Sequence, residues 1–181
     1  EETLRVLDDL VTQGKIRYLG CSNFSAWQVC ESVWTSKELG IQTFISAQPH
    51  YNMLERNVEH ELIPFCGKYG VGILPYFPLA NGFLTGKYRK NSPSPTGSRL
   101  ESDNKGLFTE DNYALLEKLI SFSKERGKTV LDLAFAWLLY NGDISSVIAG
   151  ATKPEQVISN AAAADWRLTD KEYEEVTQYL P

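Results

Sequence analysis

Residues 146–160 combine features that favour binding of an anionic group. Val147 and Ile148 continue a short apolar strand, Gly150 breaks it, and Thr152 is predicted as a helix N-cap with Pro154 just inside the helix. Backbone N–H groups and the positive end of the helix dipole converge at such a helix start, and the neighbouring Lys153 adds a full positive charge. The segment therefore predicts a phosphate site, with an ordinary capped helix behind a buried strand as the alternative.

Polar and aromatic residues also follow three earlier predicted strands. Ser22 and Asn23 come directly after the first strand, and Gln48 comes after the second. A hydroxyl and two carboxamides at adjacent strand ends could pair with an amide-bearing ligand, although Ser22 and Asn23 are also typical of a simple turn. Tyr76 ends the third strand, where its ring could lie against a planar group or merely pack on the rim.

A long segment, 79–108, is rich in Gly, Pro, Ser and Asn and is too long to be a plain connection. Its flexible backbone at Gly82 and Gly86 and the charges of Lys87 and Arg99 suit a pyrophosphate. Each cation taken alone is more typical of a solvated surface.

His50 and Tyr51 form a titratable pair near a strand end. No carboxylate or lysine stands beside them in sequence to tune them for proton transfer, and the surrounding residues indicate a loop. We therefore do not assign them a catalytic role.

The elements that position these residues repeat along the chain as a helix ended by glycine, a short strand and a capped helix. The glycines and the strands that follow them are Gly14 before 16–21, Gly40 before 43–47, Gly70 before 71–76 and Gly142 before 145–149. Helices are predicted over 25–39, 57–69 and 153–164, after Thr109 and Thr129, and after a capping box of Thr169 and Glu172.

Alternating strands and helices imply parallel βα units, in either an open doubly wound sheet or a closed barrel. None of the predicted strands is followed by the Gly-x-Gly-x-x-Gly turn of the first type. We therefore predict an α/β fold, a parallel (β/α) barrel of TIM type within a single domain over 1–181, with function at the loops after each strand.

Composition narrows the function classes. With 43% hydrophobic residues the chain can bury a core, and its net charge of −5, without a basic stripe, argues against nucleic acid. We expect no membrane association, because no apolar run has spanning length. Three cysteines far apart fit neither a metal site nor a disulfide framework, which favours a reducing, cytoplasmic location. The only methionine is Met53, so we expect the chain to be part of a longer protein.

Four motifs together resemble the aldo-keto reductases, in family order across nearly the whole chain. They are Gly14 to Phe24, Gln48 with Tyr51 and Asn52, Pro78 to Tyr88, and Gly150-Ala151-Thr152 with Gln156 and Asn160. The resemblance implies a (β/α)8 barrel that binds extended NADPH without a Rossmann fold. It also implies that this chain covers strands five to eight, the C-terminal half of the barrel.

The resemblance assigns roles to individual residues. Ser22, Asn23 and Gln48 would bind the nicotinamide carboxamide, and Tyr76 would stack on the nicotinamide ring. The pyrophosphate would be held by Phe77, Pro78, Leu79, Ala80, Gly82, Lys87 and Arg99; the 2′-phosphate by Gly150, Thr152 and Lys153; the adenine by Gln156 and Asn160. Phe77 replaces a frequent serine, so a side-chain hydroxyl contact to the phosphate is lost, and Ser159 replaces a common acidic residue, which alters one contact to the adenine.

The resemblance places the family's catalytic aspartate, tyrosine, lysine and histidine in the first four βα units, before Glu1. We therefore assign no catalytic residue and no metal ligand here, and His50 is not the family's histidine because it follows the sixth strand. The implied function is NADPH-dependent reduction of a small aldehyde or ketone by the intact protein, with this chain inactive alone. The alternative is a regulatory subunit resembling the potassium-channel β-subunits.

Two open strand edges would remain in an isolated half-barrel. We expect the chain to be unstable or to self-associate in the absence of an N-terminal half.

Overall fold

A computed structural model describes residues 1–181 as an α/β fold of seven α-helices and three parallel strands. In chain order these are α1 Glu2–Thr12, β1 Leu19–Ser22, α2 Ala26–Leu39, β2 Phe44–Gln48, α3 Leu62–Tyr69, β3 Gly72–Ile73, α4 Glu110–Glu125, α5 Val130–Tyr140, α6 Pro154–Ala163 and α7 Asp170–Thr177. The predicted class of alternating, parallel βα units is therefore confirmed. None of the helices has the length and apolar character needed to cross a bilayer.

The sheet has the order β1-β2-β3, and both pairs are parallel. A fourth segment adds only isolated parallel bridges, one between Ile73 and Ile144 and one between Tyr76 and Ile148. The predicted strands at 71–76 and 145–149 are thus too long. Pro75 interrupts the pairing of these two segments, because it has no N–H to donate. Its carbonyl still accepts a hydrogen bond from the Ile148 N–H at 2.8 Å.

The two faces of the sheet differ in side-chain size. Leu19, Phe44 and Ile73 are buried in the core, whereas the layer Gly20, Ser46, Gly72 and Ser145 is built from glycine and serine. A Cβ atom at Gly20 would lie 2.4 Å from the Ser46 Oγ, and one at Gly72 would lie 2.4 Å from the Ser145 Oγ. These glycines therefore leave room for the serine hydroxyl of the neighbouring segment in its present orientation.

Helix starts follow the predicted capping chemistry. The hydroxyls of Thr109, Thr129 and Thr169 each accept the N–H three residues on, and the latter two are completed as capping boxes by Asp132 and Glu172. Each cap satisfies N–H groups that have no partner inside the helix. The predicted N-caps Thr109, Thr129 and Thr169 are confirmed.

Two predicted helix boundaries are wrong. The helix expected over 57–69 is a 3-10 turn, Asn57–Glu59, followed by α3, because Pro64 lacks an N–H and fits only within the first turn of a helix. Gly142 does not end α5 in the left-handed conformation; the extended Asn141 ends it. Gly14, Gly40 and Gly70 do adopt φ values of +66° to +69° and terminate their helices as predicted.

The core lies between the sheet and the helices, and α5 runs through it. Residues 133–138 of α5 are all buried. Cys21 and Cys66 also belong to the core, where burial raises the pKa of both thiols, that of Cys66 to about 12. Both are therefore protonated, unreactive side chains at neutral pH.

Candidate functional site

The carboxyl ends of the strands meet at one edge of the sheet. Ser22 lies opposite Gln48 in the β1–β2 register, and Tyr76 pairs with His50 on one side and with Ile148 on the other. Four segments that are far apart in sequence are thus neighbours at this edge, as parallel strands require.

The turn after β1 is tied to the end of β2. The Ser22 hydroxyl and the Asn23 N–H both donate to the Gln48 carbonyl, at 3.0 and 3.2 Å. Asn23 has a φ of +60°, a left-handed conformation that asparagine tolerates better than most residues. The Gln48 side-chain amide forms no hydrogen bond within the protein. The predicted turn at Ser22 and Asn23 is therefore confirmed, and it lies beside a carboxamide that has no partner within the protein.

Tyr76 connects this turn to the third strand end. Its hydroxyl donates to the Asn23 Oδ1 at 2.6 Å. This bond fixes the Asn23 amide and leaves its Nδ2 group uncommitted. The Tyr76 ring stacks on the His50 ring, with centroids 5.3 Å apart and an interplanar angle of 10°, and the Phe77 ring meets it edge-on at 5.1 Å.

The loop after Tyr76 holds an unusual backbone. Phe77, Ala80 and Asn81 have φ values of 55°, 44° and 57° although none is glycine, and Gly82 has a φ of 92°. Hydrogen bonds close two tight turns here, from Ala80 N–H to the Phe77 carbonyl and from Gly82 N–H to the Leu79 carbonyl. Clustered left-handed residues are energetically costly and concentrate at functional sites.

The cations of the long 79–108 segment fall into two groups. Arg89, Lys90 and Lys105 form salt bridges with Glu117, Glu110 and Asp103. Lys87 and Arg99 form none, although both are exposed. The two cations that sequence reasoning selected are therefore the two with uncompensated charge.

Lys87 and Arg99 both lie beside the strained loop. The Lys87 Nζ is 3.4 Å from the position that a Cβ on Gly82 would occupy. The Arg99 guanidinium lies 5.7 Å from the centroid of the exposed Phe77 ring. Two free positive charges thus lie against residues 77–82, an arrangement suited to a multiply charged anion.

The start of α6 differs by one residue from the prediction. Lys153, not Thr152, is the N-cap, because a residue before proline is driven to extended geometry and Pro154 occupies the first helical position. Thr152 instead donates through its N–H and its hydroxyl to the Gln156 Oε1, at 2.7 and 3.2 Å. Lys153 forms no salt bridge, although Glu155 places a carboxylate in the first turn of the same helix.

The two residues assigned to adenine have different surroundings. The Gln156 side-chain oxygen is already occupied by Thr152. Asn160 lies one turn further along α6, where it lines a groove of about 410 Å³ together with Val147, Ala149 and Val157. The structure therefore leaves Asn160 the freer of the two.

Sequence reasoning missed the surroundings of His50 and Tyr51. Tyr51 is 2% exposed, and its hydroxyl donates to a carboxylate oxygen of Glu59 at 2.8 Å. Burial and this carboxylate raise the pKa of Tyr51, so it is a protonated structural residue, and His50 packs against Tyr76. The parallel register could have revealed the His50 contact, since the residue two beyond Gln48 lies opposite the next strand end.

No cluster of three or more histidine, cysteine or acidic side chains could hold a metal ion.

Comparison with known proteins shows what this arrangement resembles. The model of the Aldo/keto reductase family matches residues 1–181. A Schizosaccharomyces pombe protein named as an aryl-alcohol dehydrogenase is 35% identical over 95% of this chain and 48% of its own length. A rice protein named as a voltage-gated potassium channel subunit beta is 37% identical over 91% of this chain and 52% of its own length. The NADH-specific methylglyoxal reductase of Escherichia coli is 35% identical over 93% of this chain and 50% of its own length.

The chain thus spans about half the length of the curated relatives that it matches. Within that span, the family match covers every residue of the chain, including all four strand ends described above. This chain is a member of the aldo/keto reductase family.

Proposed function

We propose that this chain binds NADP(H) at the carboxyl ends of its strands, as part of an oxidoreductase that reduces small aldehydes or ketones. The observation that carries the proposal is the pair of uncompensated cations, Lys87 and Arg99, against the strained loop 77–82. A pyrophosphate in contact with both would gain charge-assisted hydrogen bonds without first breaking a salt bridge.

The strand ends fit the nicotinamide end of the cofactor. A nicotinamide carboxamide needs one donor and one acceptor, and the free Gln48 amide and the free Nδ2 group of Asn23 can supply them. Ser22 has already committed its hydroxyl proton to the Gln48 carbonyl, but its oxygen can still accept. Tyr76 offers the face of its ring that His50 does not cover.

The start of α6 fits the adenosine end of the cofactor. Lys153, with no acidic partner, and the N–H groups of the first helical turn would hold the 2′-phosphate near Gly150 and Thr152. This charge favours NADP(H) over NAD(H). One relative is named NADH-specific, and titration with NADPH and NADH distinguishes the two preferences.

The remaining proposals concern the whole protein. We propose a (β/α)8 barrel in which this chain forms strands five to eight, with the general acid on residues outside it and a cytoplasmic location. Bound NADPH would supply the hydride, while the residues described here would orient and hold it. Relatives named as a dehydrogenase and a reductase support this reading.

A second candidate is a regulatory subunit that binds the nucleotide without turning it over. The rice relative named as a potassium channel subunit beta is as similar to this chain as the named enzymes are. Because the cofactor contacts would be common to both classes, the chain's own residues do not separate them. Steady oxidation of NADPH by the whole protein with a panel of aldehydes would support the enzyme; tight binding without turnover would support the regulatory subunit.

Cofactor binding by these residues can be tested directly in the whole protein that contains this chain. NADPH, NADH and 2′,5′-ADP are titrated by fluorescence or calorimetry against the wild type and the variants Lys87→Ala and Arg99→Ala. Loss of a charge-assisted contact worth about 1.5–3 kcal/mol predicts roughly a tenfold or larger rise in the NADPH dissociation constant for each.

Lys90→Ala is the matched control, because Lys90 belongs to the same segment but is paired with Glu110. It should bind NADPH as the wild type does. Equal affinities for all three variants would refute the pyrophosphate assignment, and equal affinities for NADPH and NADH would refute the assignment of the 2′-phosphate to Lys153.

A further inference from the structure

His50 lies directly behind the aromatic ring that is proposed to meet the nicotinamide. The His50 and Tyr76 rings are nearly parallel, at 10° and 5.3 Å, and their backbones form a parallel bridge in which the Tyr76 N–H donates to the Pro49 carbonyl at 3.0 Å. Offset stacking at this distance stabilises an aromatic pair. One face of the Tyr76 ring is therefore fixed by the protein, and only the opposite face can receive a planar ligand.

Asn52 in turn fixes the His50 ring. Asn52 is 1% exposed, and its Oδ1 accepts the N–H groups of Leu54 and Glu55, at 2.9 and 3.1 Å. The other end of the amide must then be Nδ2, which lies 2.9 Å from the Phe77 carbonyl and 3.2 Å from the His50 Nε2. All hydrogen-bonding groups of this amide are thus occupied.

This arrangement determines which ring nitrogen of His50 carries the proton. Because the Asn52 Nδ2 can only donate, the His50 Nε2 must accept, and the proton of the neutral ring lies on Nδ1. The ring is thereby held in one orientation and one tautomer. The same Asn52 amide also ties the start of the strained loop, through the Phe77 carbonyl, to this ring.

The far side of Tyr76 completes a continuous series of contacts. Its hydroxyl donates to the Asn23 Oδ1 at 2.6 Å, so the fixed ring also fixes the Asn23 amide. Asn52, His50, Tyr76 and Asn23 are therefore held in sequence, from a fully buried amide to an exposed one. The buried end has no freedom, and each later member is constrained by the one before it.

We infer that His50 is a positioning residue, which holds the Tyr76 ring and through it the Asn23 amide in the geometry that receives the nicotinamide. This inference rests on the proposed function, because it assigns His50 to the nicotinamide end of the NADP(H) site. It differs from a general structural role, since it predicts an effect on one end of the cofactor only. The adenosine end is bound by residues of another segment, 150–160.

The test compares two ligands on three histidine variants. NADPH contains both ends of the cofactor, whereas 2′,5′-ADP contains only the adenosine end, with its 2′-phosphate and one 5′-phosphate. For His50→Ala we expect the NADPH dissociation constant to rise about fivefold, as for a lost aromatic stacking partner, with 2′,5′-ADP binding unchanged. His50→Phe keeps a stacking ring and should recover most of the NADPH affinity.

His60→Ala is the matched control, because His60 is the only other histidine and is exposed beside a 3-10 turn. It should bind both ligands as the wild type does. Unchanged NADPH binding by His50→Ala would overturn the inference, and so would an equal loss for both ligands, which would indicate a general structural role. A whole wild-type protein that binds neither ligand would refute the proposed function itself, and this inference with it.

Discussion

The buried hydrogen bond between Tyr51 and Glu59 allows a quantitative test of the fold beneath the site. Glu59 accepts the Tyr51 hydroxyl at 2.8 Å and also pairs with Arg56, whose Nε and Nη2 lie 2.9 and 2.8 Å from its two oxygens. Tyr51 is buried, whereas the side chains of Arg56 and Glu59 are 21% and 27% exposed. Removing the hydroxyl and removing the carboxylate should therefore have unequal effects.

Tyr51→Phe should lower the free energy of unfolding by about 1 kcal/mol, because Glu59 keeps its Arg56 partner and no polar group is orphaned. Glu59→Ala should cost about 3 kcal/mol: about 2 for the buried Tyr51 hydroxyl left without an acceptor, and about 1 for the partly exposed ion pair. In the double variant no hydroxyl is orphaned, so we expect a loss of about 2 kcal/mol rather than the additive sum of about 4.

Urea unfolding of the whole protein, followed by circular dichroism at one fixed protein concentration and with the slope checked for constancy, measures the wild type, both single variants and the double variant. Tyr113→Phe is the control, since the Tyr113 hydroxyl has no hydrogen bond within the protein, and its effect should stay within about 0.5 kcal/mol. The reasoning is refuted if Tyr51→Phe is as stable as the wild type, or if the two single effects simply add.

Three further outcomes follow from the same structure. Gly72→Ala should lower the free energy of unfolding by about 1–3 kcal/mol, because its new Cβ would lie 2.4 Å from the Ser145 Oγ. Adding Ser145→Ala should restore most of this loss in urea unfolding. A double variant without rescue would show that the strain lies elsewhere. Because the pKa of Tyr51 is raised by folding, its contribution to the free energy of unfolding is complete below about pH 10 and is lost as the pH rises further. Stability measured from about pH 9 to 11 should therefore fall more steeply in the wild type than in Tyr51→Phe. Parallel curves would contradict this. Thr129→Ala removes the hydroxyl that accepts the Asp132 N–H, so it should lower the thermal midpoint by an amount equivalent to about 1 kcal/mol. An unchanged midpoint would show that the cap does not stabilise α5.

Local chemistry made much of the fold predictable. Capping residues such as Thr129 and C-terminal glycines such as Gly40 act within one turn of the chain, and both were placed correctly. Three differences between prediction and structure arise at prolines. Pro154 shifts the N-cap of α6 by one residue, Pro64 delays the start of α3, and Pro75 interrupts the pairing of the third strand.

The sequence by itself determined the class of fold, the family and the residue types at the strand ends, because these depend on periodicity and motifs within short segments. Only the tertiary structure decided which of those side chains are free. Lys87 and Arg99 lack an acidic partner such as Glu110 provides for Lys90, and His50 acquires its partner from a strand 26 residues away. This ion pair of Lys90 and this ring stack of His50 join segments that are far apart in sequence, so no local pattern in the chain encodes them.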